Sequence, residues 1–319
     1  VSKPAVLPRV IAVVALMALS ACTSRYGGMP TAGETLPEPK ELTATSVFED
    51  LTTVAPCSLT DPSAFDTVGS ARYGEPELTL DYCTILVETA DDRSVTVNVG
   101  LLEELATLPE MDHQRDVERG LWVGQRPDGS TCAQLLVFPD GITVEVYAYE
   151  SPNDADTCEI AEAAMNHVIQ VVLDGHVTHR EPALNSFVTL DPCGLITDED
   201  VAAVPGLTGM RKPYDYPGKH KCRWAREGAG VVVAFGAGRP PATSQPVAGR
   251  PTATNPVDLP ERSYCTVETG HIPFTEVPGV ADQVELASVY VHMPPGQATA
   301  ACTAARALAE ALWPQLPAA

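Results

Sequence analysis

The chain has 319 residues, with 42 acids against 20 bases and a formal charge of −22. Such a surface repels phosphate polymers and argues against nucleic acid as a partner. The length suits two domains of about 100–200 residues each, and the nine cysteines divide as one, four and four.

The first segment reads as an export signal, residues 1–21. Lys3 and Arg9 supply its positive start, and Val10 to Leu19 are all apolar. That run is shorter than the ~20 residues needed to span a bilayer and has the length of a secretory core. It ends in Leu19-Ser20-Ala21-Cys22, which resembles the lipobox of bacterial lipoproteins. The resemblance implies that Cys22 receives a diacylglyceryl group, with palmitate-type chains, and becomes the mature N-terminus. The expected location is therefore the extracytoplasmic face of the cell membrane, with lipid as the first partner. Residues 22–46 follow as a polar tether rich in Gly, Pro and Thr, without periodicity.

Beyond the tether the chain reads as the same plan written twice. Residues 47–175 hold Cys57, Cys83, Cys132 and Cys158; residues 187–319 hold Cys193, Cys222, Cys265 and Cys302; residues 176–186 link them. Corresponding cysteines are offset by 136, 139, 133 and 144 positions, and Pro56-Cys57-Ser58-Leu59 matches Pro192-Cys193-Gly194-Leu195. A nearly constant offset is the mark of a repeat with loop insertions.

In the first unit, Asp61-Pro62 starts a short helix after the first cysteine. Arg93 to Val99 and Ile142 to Tyr147 alternate as strands, and Leu135 to Phe138 is a further strand. Cys158, Ala161, Met165, Val168 and Val172 recur at helical spacing, with Asp154 and Asp156 at the N-terminal end. In the second unit, Thr197 to Asp200 forms a capped helix start. Val231 to Phe235 and Val284 to Val291 are strands, the latter following an irregular stretch after Cys265. Cys302, Ala305, Ala309, Leu312 and Leu316 repeat the helical spacing, and Pro314 ends that helix. Arg239 to Arg262 contains six prolines in 24 residues and is expected to resist regular structure, as a mobile insertion or a binding lid. The predicted fold is α+β: two related units, each an antiparallel sheet with helices on one face.

In an exported chain the eight cysteines default to disulfides. Four cysteines allow three pairings per unit, and sequence alone does not choose among them. The favoured set is Cys57–Cys83, Cys132–Cys158, Cys193–Cys222 and Cys265–Cys302, which would staple the opening and closing helices to strands. Each is worth about 3.5–4 kcal/mol on the chain-entropy model. No CxxC occurs and the spacings match no zinc pattern, so no metal or cofactor is expected; His176 and His179 lack a third ligand.

One segment stands out. Met210 to Arg226 contains six of the twenty basic residues, with aromatic residues among them. The candidate binding patch is Arg211, Lys212, Tyr214, Tyr216, Lys219, Lys221, Arg223, Trp224 and Arg226, because arginines with aromatics suit anionic groups and interface hot spots. The competing reading is a solvated hairpin. Trp122 and Trp313 are expected in the core or a groove.

The lipobox, the polar tether, Pro192-Cys193-Gly194-Leu195 and Cys222-Arg223-Trp224 together resemble a family of actinobacterial envelope lipoproteins of unknown function. In the first unit Cys83 is followed by Thr84-Ile85, without the tryptophan. A looser likeness is to the extracellular sensor domains of mycobacterial receptor Ser/Thr kinases. Five lysines against fifteen arginines suit such a high-GC host. The resemblance implies no catalytic residues, and no GxSxG, HExxH, SxxK or Walker A pattern occurs. The expected function is non-catalytic binding of a small envelope ligand or a partner protein. The alternatives are an envelope hydrolase with an unrecognised site and a purely structural or assembly lipoprotein.

Overall fold

Leu42, Ala44 and Phe48 are buried, so the chain begins to pack before the expected end of the tether. The reason is local. Thr43 and Ser46 form a capping box around helix α1 (Ala44–Phe48), and its apolar side chains enter the first core. Asp140 accepts from the Ala44 and Thr45 amides. The boundary at residue 46 is therefore corrected to no later than Lys40. This computed structural model describes residues 40–75, 80–105, 110–128, 131–150, 157–213, 215–242 and 245–319. The export signal, Cys22, Asp154, Asp156 and Tyr214 lie outside them.

The first sheet is built from β1 (Ser70–Tyr73), β2 (Cys83–Glu88), β3 (Ser94–Glu104), β4 (Asp112–Asp116), β5 (Trp122–Asp128), β6 (Thr131–Val137) and β7 (Ile142–Glu150). Their order is β1-β2-β3-β7-β6-β5-β4, with each neighbouring pair antiparallel. Helix α2 (Thr157–Asp174) closes the unit, burying Ala161, Met165, Val168 and Val172 against β3, β6 and β7. Asp61 caps a single 3-10 turn, Pro62–Phe65.

After the linker come α3 (Pro192–Leu195) and α4 (Asp198–Ala203), the latter with a Thr197/Asp200 capping box. The second sheet has β8 (Lys221–Arg226), β9 (Ala229–Gly238), β10 (Ala253–Asp258), β11 (Ser263–Phe274) and β12 (Gln283–Met293), in the order β10-β11-β12-β9-β8. Helix α5 (Ala298–Leu312) packs on β10, β11 and β12 and gives way to a 3-10 turn at Trp313–Gln315. The architecture is α+β, with helices on one face of each antiparallel sheet.

Strand for strand, β2-β3-β7-β6-β5 has the same order and direction as β8-β9-β12-β11-β10. The disulfides repeat as well. Cys57–Cys83 and Cys193–Cys222 tie each opening turn to β2 or β8; Cys132–Cys158 and Cys265–Cys302 tie β6 or β11 to the closing helix. Each sheet has its own apolar core, one around Phe48, Val97 and Met165 and one around Trp224, Val289 and Leu308. Lys40–Ala319 nonetheless form one compact unit.

Two expectations need correction. The Pro-rich stretch holds a strand, β10. Pro256 is tolerated because β10 lies at the sheet edge, where a missing N–H breaks no inner ladder. The stretch after Cys265 continues as β11, in which Ser263, Cys265, Val267 and Thr269 are buried and their neighbours less so. The inward Ser and Thr, with a register shift between Gly270 and Pro273, hide that alternation in the sequence. Among the described residues no helix is long and apolar enough to cross a membrane.

Candidate functional site

The basic island does not form one surface. Strand alternation divides it: in β8, Cys222 and Trp224 turn into the second core, while Lys221 and Arg223 turn to the opposite, helix-free face. Trp224 is fully buried, and its Nε1–H donates to Asp198 Oδ1 at 2.8 Å. Tyr216 is buried under Lys221, whose Nζ lies 4.8 Å from the ring centroid. Arg211, Lys212, Lys219 and Arg226 are exposed. Arg211 forms an isolated bridge with Ala225, and Arg226 donates to the Gly206 carbonyl. The patch reading is therefore corrected: Trp224 and Tyr216 belong to the interior, and only part of the island faces solvent.

Lys221 instead joins a polar seam between the two sheets. A register shift in β3, between Val99 and Leu102, creates it. With strict alternation, residue 103 would share the core face with Val95, Val97 and Val99. The extra residue passes through Gly100 at φ 123°, a backbone region that favours glycine. Leu102 returns to the core and Glu103 is turned to the other face. Glu103 is 3% exposed. Burial, and then the nearby Glu145, push its carboxyl up to about 7, against the pull of Lys221, Arg126 and Arg223.

Glu145 on β7 accepts from the Tyr82 hydroxyl at 2.7 Å and from Arg126 on β5 at 2.5 Å. Burial and these carboxylates hold the Tyr82 phenol well above its usual range. Burial lowers the Lys221 ammonium, opposed by Glu103, Glu145 and Asp81. At the same seam His220, fully enclosed, bonds Asp81 Oδ1 through Nδ1 at 2.6 Å and approaches the Val188 carbonyl through Nε2 at 3.0 Å. The latter geometry makes Nε2 a donor, since a carbonyl only accepts. Sequence reading placed His220 only among the residues of the basic island and missed Glu103, Glu145, Tyr82, Arg126 and Asp81. The usable signal was a carboxylate, Glu145, set between Val144 and Val146.

Arg180 of the linker is buried at the junction of the sheets. It pairs with Glu276 at 2.5 Å and donates to the Leu80 carbonyl at 2.5 Å. A small cavity of about 30 Å³ adjoins it. A larger cleft of about 700 Å³ opens between Arg72 and Tyr73 of the first sheet and Arg239, Pro240 and Gly279–Asp282 of the second unit, with Glu75 paired to Arg239. Lys212 lines a third hollow with Glu104, Asp140 and Asp215. Among the described residues no three His, Cys, Asp or Glu side chains are grouped to hold a metal.

No family model, curated protein or solved structure matches the chain.

Proposed function

We propose that the protein is a lipid-anchored, extracytoplasmic envelope protein that binds a small envelope ligand without transforming it. The observation that carries binding is the junction cleft. Its ~700 Å³ lies within the 300–1,000 Å³ usual for small-ligand sites. Two arginines, a tyrosine and two carboxylates line it beside Pro240 and Val280, so it offers both shape and orienting charge. The address is supported by the apolar run ending at Cys22 and by four disulfides, which persist in oxidising compartments.

Two measurements test this. Mass spectrometry of the N-terminal peptide is expected to find a lipid-modified Cys22; an unmodified mature N-terminus elsewhere overturns the anchor. Native mass spectrometry of the protein drawn from its own envelope is expected to show a non-covalent small-molecule adduct. The adduct is lost in the Arg72→Ala/Arg239→Ala variant, and its absence from wild type overturns the ligand.

A hydrolase is the second reading, because a carboxyl near 7 beside another carboxylate is the pairing used in acid–base catalysis. It ranks lower because Glu103 and Glu145 are only 3% and 4% exposed and Glu145 is already engaged by Tyr82 and Arg126.

A further inference from the structure

The two units diverge at one place on their helix-covered faces. The disulfides fix the correspondence: Cys132 on β6 matches Cys265 on β11, and Cys158 on α2 matches Cys302 on α5. Two residues along each strand, Gln134 takes the place of Val267. Four residues along each helix, Glu162 takes the place of Arg306. The cross-strand partners correspond as well, Gln125 with Gln134 and Thr254 with Val267. In the second unit this place is closed. Val267 is fully buried in the core, and Arg306 Nη1 donates to Thr254 Oγ1 at 3.2 Å. In the first unit it is open. A hollow of about 340 Å³ lies there, lined by His113, Arg115, Val123, Gln125, Gln134 and Glu162.

Gln134 makes the hollow more than a packing gap. It shares the inner face of β6 with Cys132 and Leu136 and is 7% exposed, yet its Oε1 has no hydrogen-bond partner. A buried amide oxygen without a donor costs stability, and the valine of the second unit carries no such cost. Gln125 Nε2 donates to Cys158 Sγ at 3.2 Å, leaving its Oε1 as a second acceptor. The outer wall is β4, which lies beyond β5 and has no counterpart among the described strands of the second sheet. Its register shift, between Asp112 and Arg115, contains His113 at φ 47°, and a bulge of this kind re-aims neighbouring side chains. Arg115 donates to Asn166 Oδ1 at 2.7 Å, one helical turn beyond Glu162. No ion pair joins Arg115 to Glu162 among the described residues. A guanidinium and a carboxylate therefore line one hollow without pairing to each other, beside a buried amide oxygen that lacks a donor.

We propose that this hollow is a binding site for a free α-amino acid, separate from the junction cleft. Such a ligand carries an ammonium and a carboxylate on one carbon. The ammonium supplies the N–H donors that Gln134 Oε1, Gln125 Oε1 and the Glu162 carboxylate accept. The carboxylate takes guanidinium N–H groups of Arg115 beyond the one used on Asn166. Val123 adds an apolar surface for the ligand's side chain. A simple amine would leave Arg115 unused, and a simple acid would leave Gln134 unsatisfied. A neutral amino acid has no net charge, so the overall −22 does not oppose it at long range, as it would an anion.

The test is isothermal titration of the full chain with each of the common L-α-amino acids at up to millimolar concentration. The N-acetyl and α-amide derivatives of the tightest binder follow, the α-amide standing in for the N-terminus of a peptide. At least one amino acid is expected to bind, and each derivative about tenfold more weakly. Gln134→Val, which installs the second unit's residue, is expected to raise the melting temperature and abolish binding. A purely structural residue would not move those two readouts in opposite directions. Glu162→Gln and Arg115→Gln should each weaken the amino acid about tenfold, and Arg115→Gln should leave the affinity for the α-amide unchanged. Arg72→Ala/Arg239→Ala should change nothing, which separates this site from the cleft. The inference is overturned if no amino acid binds, if either derivative binds as tightly as its parent, if Gln134→Val binds as wild type, or if Arg72→Ala/Arg239→Ala abolishes binding. If Gln134→Val does not fold, Glu162→Gln decides, at an exposed helix position: unchanged affinity overturns the site.

Discussion

Asp81 Oδ1 lies 2.6 Å from His220 Nδ1, although 139 positions separate the two in sequence. Asp81 lies two residues before β2 of the first sheet and His220 immediately precedes β8 of the second, so one buried contact ties the two sheets together. Gly218 leaves room for it. A Cβ there would come within 2.4 Å of Asp81 Oδ1. Removing one partner of a buried pair costs about 3–5 kcal/mol, because the other is left enclosed and uncompensated. Asp81→Ala is expected to lower stability by that amount in urea titration, and Gly218→Ala in the same direction by displacing the carboxylate. Wild-type midpoints in both variants would contradict the clamp.

The Glu103 carboxyl makes stability depend on pH. Its folded value, about 7, lies above its ordinary 4.5. The folded state therefore binds more protons than the unfolded one between those limits. The stability it contributes is present below pH 4.5 and is lost as pH rises through 7. The full change is about 3 kcal/mol, at roughly 1.4 kcal/mol per pH unit. His292, lowered by burial, acts in the opposite sense below 6.5, so the wild-type curve mixes the two. The difference between wild type and Glu103→Gln isolates the carboxyl. That variant is expected to gain stability relative to wild type from pH 5 to pH 8. A flat difference curve would remove Glu103 as the cause.

The disulfides span 26, 26, 29 and 37 positions. Loop-closure entropy makes each worth about 3.5–4 kcal/mol, the longest most. Replacing Cys265 and Cys302 with serine together should therefore cost about 4 kcal/mol in guanidinium titration. Non-reducing peptide mapping should find four cross-links, none joining residues 57–158 to residues 193–302. One such cross-link would refute the pairing.

Trp224 separates a structural role from a binding one. Trp224→Phe removes the bond to Asp198 and some buried volume, and is expected to cost about 1–3 kcal/mol. The small-molecule adduct seen by native mass spectrometry should stay at the wild-type level, since the indole faces the second core. A loss of the adduct without a loss of stability would return Trp224 to the binding surface.

The repeat, the fold class and the closing helices were legible in the sequence because they rest on local periodicity. Apolar positions at helical spacing after Cys158 and Cys302, and alternation in β7 and β12, are properties of each segment alone. Short-range composition misled at β10, where six nearby prolines suggested irregular chain although an edge position tolerates them. At β8 it counted charges along a line, whereas a strand sends successive side chains to opposite faces.

The pairing of the eight sulfurs was open to the sequence, since three arrangements per unit satisfy the same spacings; three-dimensional proximity selects one. The seam also belongs to the tertiary structure. Glu103 faces Glu145 and Lys221 only because a single extra residue at Gly100 reverses the side-chain alternation of β3, and because two sheets distant in sequence meet there. Periodicity within one segment records which residues avoid water. Only the meeting of segments decides which charges lose it, and with it their ordinary proton affinity.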